Sequence, residues 1–289
     1  MTENPLPDSL WEYLQNKYGA TDAQQLSGGS INEAAKIITS SDSLFVKWND
    51  TEAFPAMFEL EARNLNLLRQ TQTVQTPAVI EVNDVDNLSF LILDYVQANT
   101  KSFAGTEKLG EQIALLHQNT NVDFGLHYNN YIGILQQFNK LNESWADFFI
   151  ENRLKPLVNK AYQMQLLDLE EMSLFVTLYQ KIPTLFPDEK PALLHGDLWG
   201  GNYLITETGI PFVFDPACYF GHREMDIAMT VLFGGYDRVF YEAYHATFPL
   251  ESGWQERTAL WNLYPLLIHL LLFGKNYHNN LMQSVKKFV

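Results

Sequence analysis

One short block constrains this chain more than any other: Leu194-His195-Gly196-Asp197-Leu198-Trp199-Gly200-Gly201-Asn202, followed by Pro211–Phe214 and then Asp215-Pro216. Glycines at 196, 200 and 201 resist helix, so the first part reads as a loop, and the apolar run behind it as a short strand. On both sides the apolar residues recur at helical spacing: Ser144 to Gln163 and Leu169 to Lys181 before it, Arg223 to Phe233 and Gln255 to Asn276 after it. The fold must therefore carry a loop-and-strand block, Ala192 to Phe220, inside a helical region.

The first third reads differently. Leu10, Trp11, Leu14 and Tyr18 predict a helix over Asp8–Tyr18, ended by Gly19. Ser27-Gly28-Gly29-Ser30 is a small-residue turn between two β-prone stretches, and Ser43–Trp48 alternates as a strand. A helix is expected from Phe54 to Gln70, then strands at Ala78–Val82 and Phe90–Tyr95 around a turn at Asn83–Asn87. After Ala98 helices dominate, beginning with Glu107 to Gln118. Strands first and helices after indicate an α+β protein of two lobes, 1–97 and 98–289, sharing a cleft.

Composition narrows the class. Hydrophobic residues are 46% and charged residues 18% of the 289, enough for a buried core and too apolar for wholesale disorder. A net charge of −15 argues against a nucleic-acid partner, since nothing here would neutralise phosphates along a duplex. The acidity suits a cationic or neutral substrate, but a solvated acidic surface explains it as well. Cys218 is the single cysteine, so no intrachain disulfide can form; it reads as a small buried hydrophobe. The N-terminus lacks the basic start and apolar run of a secretory signal. The longest apolar stretch, Leu263 to Phe273, is broken by Pro265 and His269 and reads as a buried helix, not a membrane span. No membrane partner and a reducing, cytoplasmic setting are the expectation.

Phosphoryl transfer needs a carboxylate beside the attacking hydroxyl and oxygen ligands for Mg²⁺ on the nucleotide phosphates. Asp197 and Asn202, five positions apart in a glycine-containing loop, fit the base and one metal ligand, and Asp215 at a strand end fits the second. Each piece alone could be an ordinary turn; the order and spacing together are specific. Upstream, Lys47 lies mid-strand among Phe45, Val46 and Trp48, where a buried ammonium needs a partner. ATP phosphates and Glu61 on the next helix would supply one. Glu59 is a rival for that role, and a snorkelling edge lysine is the alternative for Lys47. Glu61 shares a face with Phe58, Leu65 and Leu68 and should point inward. Gly28, Gly29 and Ser30 could cover the phosphates with backbone N–H groups. Backbone groups of Asp94, Tyr95 and Val96 could meet the adenine edge.

These residues resemble the fructosamine kinase (ketosamine-3-kinase) family, a relative of aminoglycoside phosphotransferases and choline kinases. The similarity runs from Gly28 to Tyr277. It rests on His195–Asn202, Asp215-Pro216 and Gly221-His222-Arg223-Glu224-Met225-Asp226. Further matches are Leu109–His117, Phe124-Gly125 and Asn130-Tyr131-Ile132-Gly133. The resemblance implies a two-lobed protein-kinase-like fold, with an antiparallel sheet and one helix in the small lobe. It also implies ATP and Mg²⁺, and phosphorylation of the 3-hydroxyl of a small-molecule or protein-bound ketosamine, in deglycation or metabolite repair; the alternatives are a kinase of another small alcohol (aminoglycoside, choline or a thiosugar) and a non-catalytic nucleotide-binding regulator. Many relatives carry cysteine where this chain has Ser30, so thiol regulation at that loop is not expected.

Trp199 is expected on the acceptor side, where an aromatic face packs on a sugar, with a core brace as the alternative. His222 and Glu224 are candidates to line the acceptor pocket, Glu224 with a scaffold role equally open. His195 should brace the loop, and the resemblance gives Asp226 the task of tying the loop down through backbone hydrogen bonds. His117 and His269, in apolar helical stretches, read as satisfied core histidines.

Overall fold

The computed structural model describes residues 4–26, 32–98 and 102–289. The chain divides into two compact units: Met1–Gly105 with Tyr203–Asp215, and Thr106–Asn202 with Pro216–Val289.

In the first unit α1 (Asp8–Tyr18) ends where Gly19 turns left-handed, φ 65°, and its N–H caps the carbonyls of Gln15 and Leu14. Then come β1 (Ala20–Gln25), β2 (Glu33–Thr39) and β3 (Ser43–Asp50), α2 (Met57–Gln70), β4 (Val79–Val85) and β5 (Leu88–Asp94). The strands form one antiparallel sheet in the order β1-β2-β3-β5-β4. The run Phe90-Leu91-Ile92-Leu93 shows why β5 lies inside it, because a strand covered on both faces has no polar side to offer. Phe90 and Ile92 pack with Leu10 and Leu14 of α1 and Val46 of β3. Leu91 and Leu93 pack with Phe58 and Leu65 of α2. Each such side chain contributes about 1.5–3 kcal/mol by leaving water. The expected helix from Phe54 starts only at Met57: Phe54 precedes Pro55, which disfavours helical backbone there, and Ala56 is left-handed. A hairpin of β9 (Tyr203–Ile205) and β10 (Pro211–Val213) belongs to the same unit, tied by the Val213 N–H to the Gln75 carbonyl at 2.9 Å.

The second unit is mainly helical. It takes in most of α3 (Phe103–Leu116), and its short strands pair as β6 (Asn130–Ile132) with β7 (Leu135–Gln137), and β8 (Ala192–Leu194) with β11 (Tyr219–Gly221). The helix expected over Ser144–Gln163 exists but is not uniform. It is α4 (Trp145–Phe148), a π-helical segment Phe149–Leu154, and α5 (Lys155–Gln163). Pro156 has no N–H to return to the preceding turn, and the wider segment lies just before it. Next is α6 (Leu169–Lys181), opened by a capping box between Asp168 and Glu171. After it come α7 (Glu224–Leu232), α8 (Arg238–Thr247), α9 (Trp254–Trp261), α10 (Leu263–Phe273) and α11 (His278–Lys286). The single helix expected from Gln255 to Asn276 breaks at Asn262, because the Pro265 ring would collide with the Trp261 carbonyl one turn back. α8 and α11 were not foreseen. Among the described residues no helix is long and apolar enough to cross a membrane.

Candidate active site

In the first unit, Lys47 sits mid-strand in β3 at 6% exposure. Its Nζ donates to Glu61 Oε1 at 2.8 Å and to Asp215 Oδ1. The helix α2 thus brings Glu61 inward, whereas Glu59 is exposed. Burial disfavours the Lys47 ammonium, but the charges of Asp215 and Glu61 outweigh it and raise its pKa. Burial pushes the Glu61 carboxyl up, against the pull of Lys47 and with the repulsion of Asp215. One ammonium shared by two carboxylates accounts for both directions. Asp215 itself follows β10 in a left-handed conformation, φ 56°, which a non-glycine residue adopts at some cost, of the order of 1–3 kcal/mol. Its side chain remains 41% exposed. Asp94 closes β5 and uses its carboxylate on the Ala78 N–H, and the Tyr95 N–H donates to the Ser43 carbonyl at 3.4 Å. Gly28, Gly29 and Ser30 lie outside the described residues.

In the second unit the loop after β8 is held from below by Asp226 of α7. Its two oxygens accept the backbone N–H groups of His195 at 2.7 Å and Gly196 at 2.9 Å. The carboxylate is buried and also meets His117 Nε2 at 3.2 Å, whose Nδ1 faces the Tyr244 hydroxyl at 2.8 Å. His195 is buried, and its Nδ1 accepts the Asp197 N–H at 3.3 Å. Gly196 is left-handed, φ 84°, and a Cβ there would stand 2.0 Å from the Ala217 carbonyl oxygen, so only glycine fits. Asn202 donates its amide to both the backbone carbonyl and Oδ2 of Asp197, each at 2.9 Å. That orientation leaves the Asn202 side-chain oxygen as its acceptor end. Trp199 is 37% exposed and folds back over Gly201, where a Cβ would come within 2.2 Å of the indole.

His222, Arg223 and Glu224 are all buried. Glu224 is 1% exposed; Arg257 grips it with Nε at 2.9 Å and Nη2 at 2.6 Å, and the Trp261 indole N–H adds a bond at 2.8 Å. Burial raises its pKa, but these donors outweigh it and lower it. His222 stacks on Trp261 with centroids 5.0 Å apart and meets the Pro187 carbonyl at 3.3 Å. Burial lowers its pKa, favouring a neutral ring. Arg223 pairs bidentately with Glu189. All three side chains are engaged with other residues of the same unit.

Asn202 in the second unit and Asp215 in the first each carry a side-chain oxygen of the kind a hard cation takes, and among the described residues no cluster of three His, Cys, Asp or Glu could hold a metal. Mg²⁺ on a nucleotide takes few protein oxygens, because phosphates and water complete its shell.

The sequence matches the fructosamine kinase family over residues 5–289. A probable ketoamine kinase of Vibrio parahaemolyticus is 39% identical over 98% of each chain, and one from Synechocystis is 36% identical over 96% of each. Among solved structures, a putative fructosamine-3-kinase from Haemophilus somnus superposes with a TM-score of 0.87 at 29% identity, covering 97% of both chains. A spectinomycin phosphotransferase complexed with ADP and spectinomycin shares the fold, with a TM-score of 0.62 at 16% identity over 99% of this chain and 94% of that one.

Proposed function

Since this chain belongs to the fructosamine kinase family and is an ATP-dependent ketosamine kinase, we propose that Asp197 is its catalytic base and Lys47 its phosphate-binding lysine. The observation that carries this is the clamp on Asp197. Asn202 fixes one carboxylate oxygen, and His195 and Asp226 fix the backbone, so the other oxygen is aimed without choosing among rotamers. In this reading Asp197 accepts the proton of the sugar hydroxyl as its oxygen bonds to the γ-phosphorus. The bond to the β–γ bridging oxygen breaks, and ADP leaves.

Lys47 orients the phosphates, itself oriented by Glu61. Asn202 and Asp215 would be the protein ligands of Mg²⁺, which would neutralise charge on the phosphate oxygens. The backbone of Asp94–Val96 meets the adenine edge, with the Tyr95 N–H already engaged by Ser43, and Gly28, Gly29 and Ser30 cover the phosphates. Residues 1–97 belong to the ATP-binding lobe, to which the Tyr203–Asp215 hairpin is added, and the rest of 98–289 makes the lobe with the loop and acceptor site. Trp199 packs on the sugar and its ammonium, while His222 and Glu224 serve as scaffold. The protein acts in deglycation or metabolite repair in the cytoplasm.

The test is Mg²⁺-dependent ADP release over fructosamine, ribulosamine, aminoglycoside, choline and methylthioribose acceptors. Turnover confined to the ketosamines is the expected outcome. Turnover with a different acceptor and none with ketosamines would overturn the substrate and leave the mechanism.

A further inference from the structure

Behind the loop lies a buried polar network that the chemistry above does not use. Asn130, Gln137, Asn139 and Arg153 are all at or below 2% exposure. Arg153 projects from the π-helical segment into a cage of rings, with its guanidinium carbon 4.0 Å from the Tyr219 centroid, 4.7 Å from Phe148 and 5.2 Å from Tyr264. Among the described residues no carboxylate lies within ion-pair reach of it; its Nη1 donates to the Phe138 carbonyl. A charge buried without a counter-ion is expensive, and a protein that keeps one has another use for its hydrogen bonds.

Those bonds run in one direction. Arg153 Nη2 donates to Asn139 Oδ1 at 2.7 Å, Asn139 Nδ2 to Asn130 Oδ1 at 2.9 Å, and Asn130 Nδ2 to the Cys218 carbonyl at 2.9 Å. A second relay joins it. The Tyr264 hydroxyl donates to Gln137 Oε1 at 2.7 Å, and Gln137 Nε2 donates to the Ala217 carbonyl at 3.0 Å and to Asn130 Oδ1 at 2.8 Å. Arginine can only donate and a carbonyl can only accept, so every amide between them has one orientation. Chains of aligned donors polarise and strengthen one another.

Both relays end on the two residues that follow Asp215-Pro216. The Ala217 N–H donates to the His195 carbonyl at 2.9 Å, and the Ala217 carbonyl is the oxygen against which Gly196 packs too closely for any Cβ. The loop carrying Asp197 therefore rests on a peptide whose position is set from behind by β6, β7 and the π-helical segment.

We infer that Gln137, Asn130, Arg153 and Tyr264 are positioning residues, which set the height of the Asp197 loop by pinning the Ala217 and Cys218 carbonyls. This rests on Asp197 as the base. A loop displaced by even a fraction of an ångström loses near-attack geometry, so kcat falls while the ground-state binding of both substrates is kept.

The experiment measures kcat, both KM values and Tm for Tyr264→Phe, Gln137→Met and their double mutant, each on protein passing a folded-fraction check, with Asp197→Asn alongside. Tyr264→Phe keeps the ring against Arg153 and removes a single hydrogen bond. It should lower kcat about 3- to 10-fold with both KM values within 2-fold, Gln137→Met should lower kcat further, and the double mutant should be no worse than Gln137→Met alone. Wild-type kcat per folded molecule in Tyr264→Phe and Gln137→Met, whatever their Tm, would overturn the positioning role while Asp197→Asn stays inactive. An active Asp197→Asn would instead remove the base assignment on which it rests.

Discussion

A single lysine decides how much chemistry the first unit can offer. Lys47 is buried between two carboxylates, and the helix presents Glu61 rather than its neighbour Glu59 because positions 58, 61, 65 and 68 share the inward face. Glu61→Gln should raise KM for ATP or lower kcat by roughly 10-fold, the scale of one charge-assisted bond, and Glu59→Gln should change neither; initial rates over an ATP series separate them. Equal effects would mean that Glu61 does not orient Lys47. This pairing was legible in the sequence because helical spacing alone selects it. Asp226 was legible too, through resemblance, and its two bonds to the loop backbone bear that placement out. The partners of Glu224 and His222 were not legible, since Arg257, Trp261 and Pro187 stand some 30 or more residues away, beyond any local pattern.

Among the elements, α1 shows how a helix is fastened to a sheet. Glu81 of β4 accepts from Tyr13 at 2.6 Å, Lys17 at 2.6 Å, Tyr18 at 2.5 Å and Asn83 at 3.2 Å. Burial alone would raise its pKa, but these four donors outweigh it and hold the carboxyl at about 2. A carboxyl depressed in the fold adds stability above its unfolded pKa near 4.5 and loses it as pH falls toward 2. The Tm gap between wild type and Glu81→Gln should therefore be widest above pH 5 and narrow steadily toward pH 3. A gap independent of pH would show that the ionised carboxylate does not hold α1 to β4. The existence of most long helices and of the strands β3 and β5 followed from periodicity, whereas the breaks at Asn262 and around Phe149–Leu154 turn on Pro265 and Pro156. A proline's effect on the preceding turn depends on what the rest of the core tolerates. The amide relays from Asn139 and Gln137 were invisible for a similar reason: amide side chains in a sequence carry no sign of whether they face water or one another.

At the scale of the whole molecule, the candidate residues divide between two compact units. The first unit contains Lys47, Glu61 and Asp215, and the second contains Asp197, Asn202 and Trp199. The order of these residues along the chain pointed to phosphoryl transfer, while the assignment of the Tyr203–Asp215 hairpin to the first unit rests on long-range ties to Gln75 and Lys47 that no local pattern shows. The most direct measurement of the central claim is the single-turnover rate of Asp197→Asn against wild type, at saturating Mg²⁺-ATP and ketosamine. A fall of about 10²–10⁴-fold with ATP binding retained is what a positioned base requires. A rate equal to wild type would contradict the account, because the clamp built by Asn202, His195 and Asp226 would then be holding a side chain with no part in the chemistry.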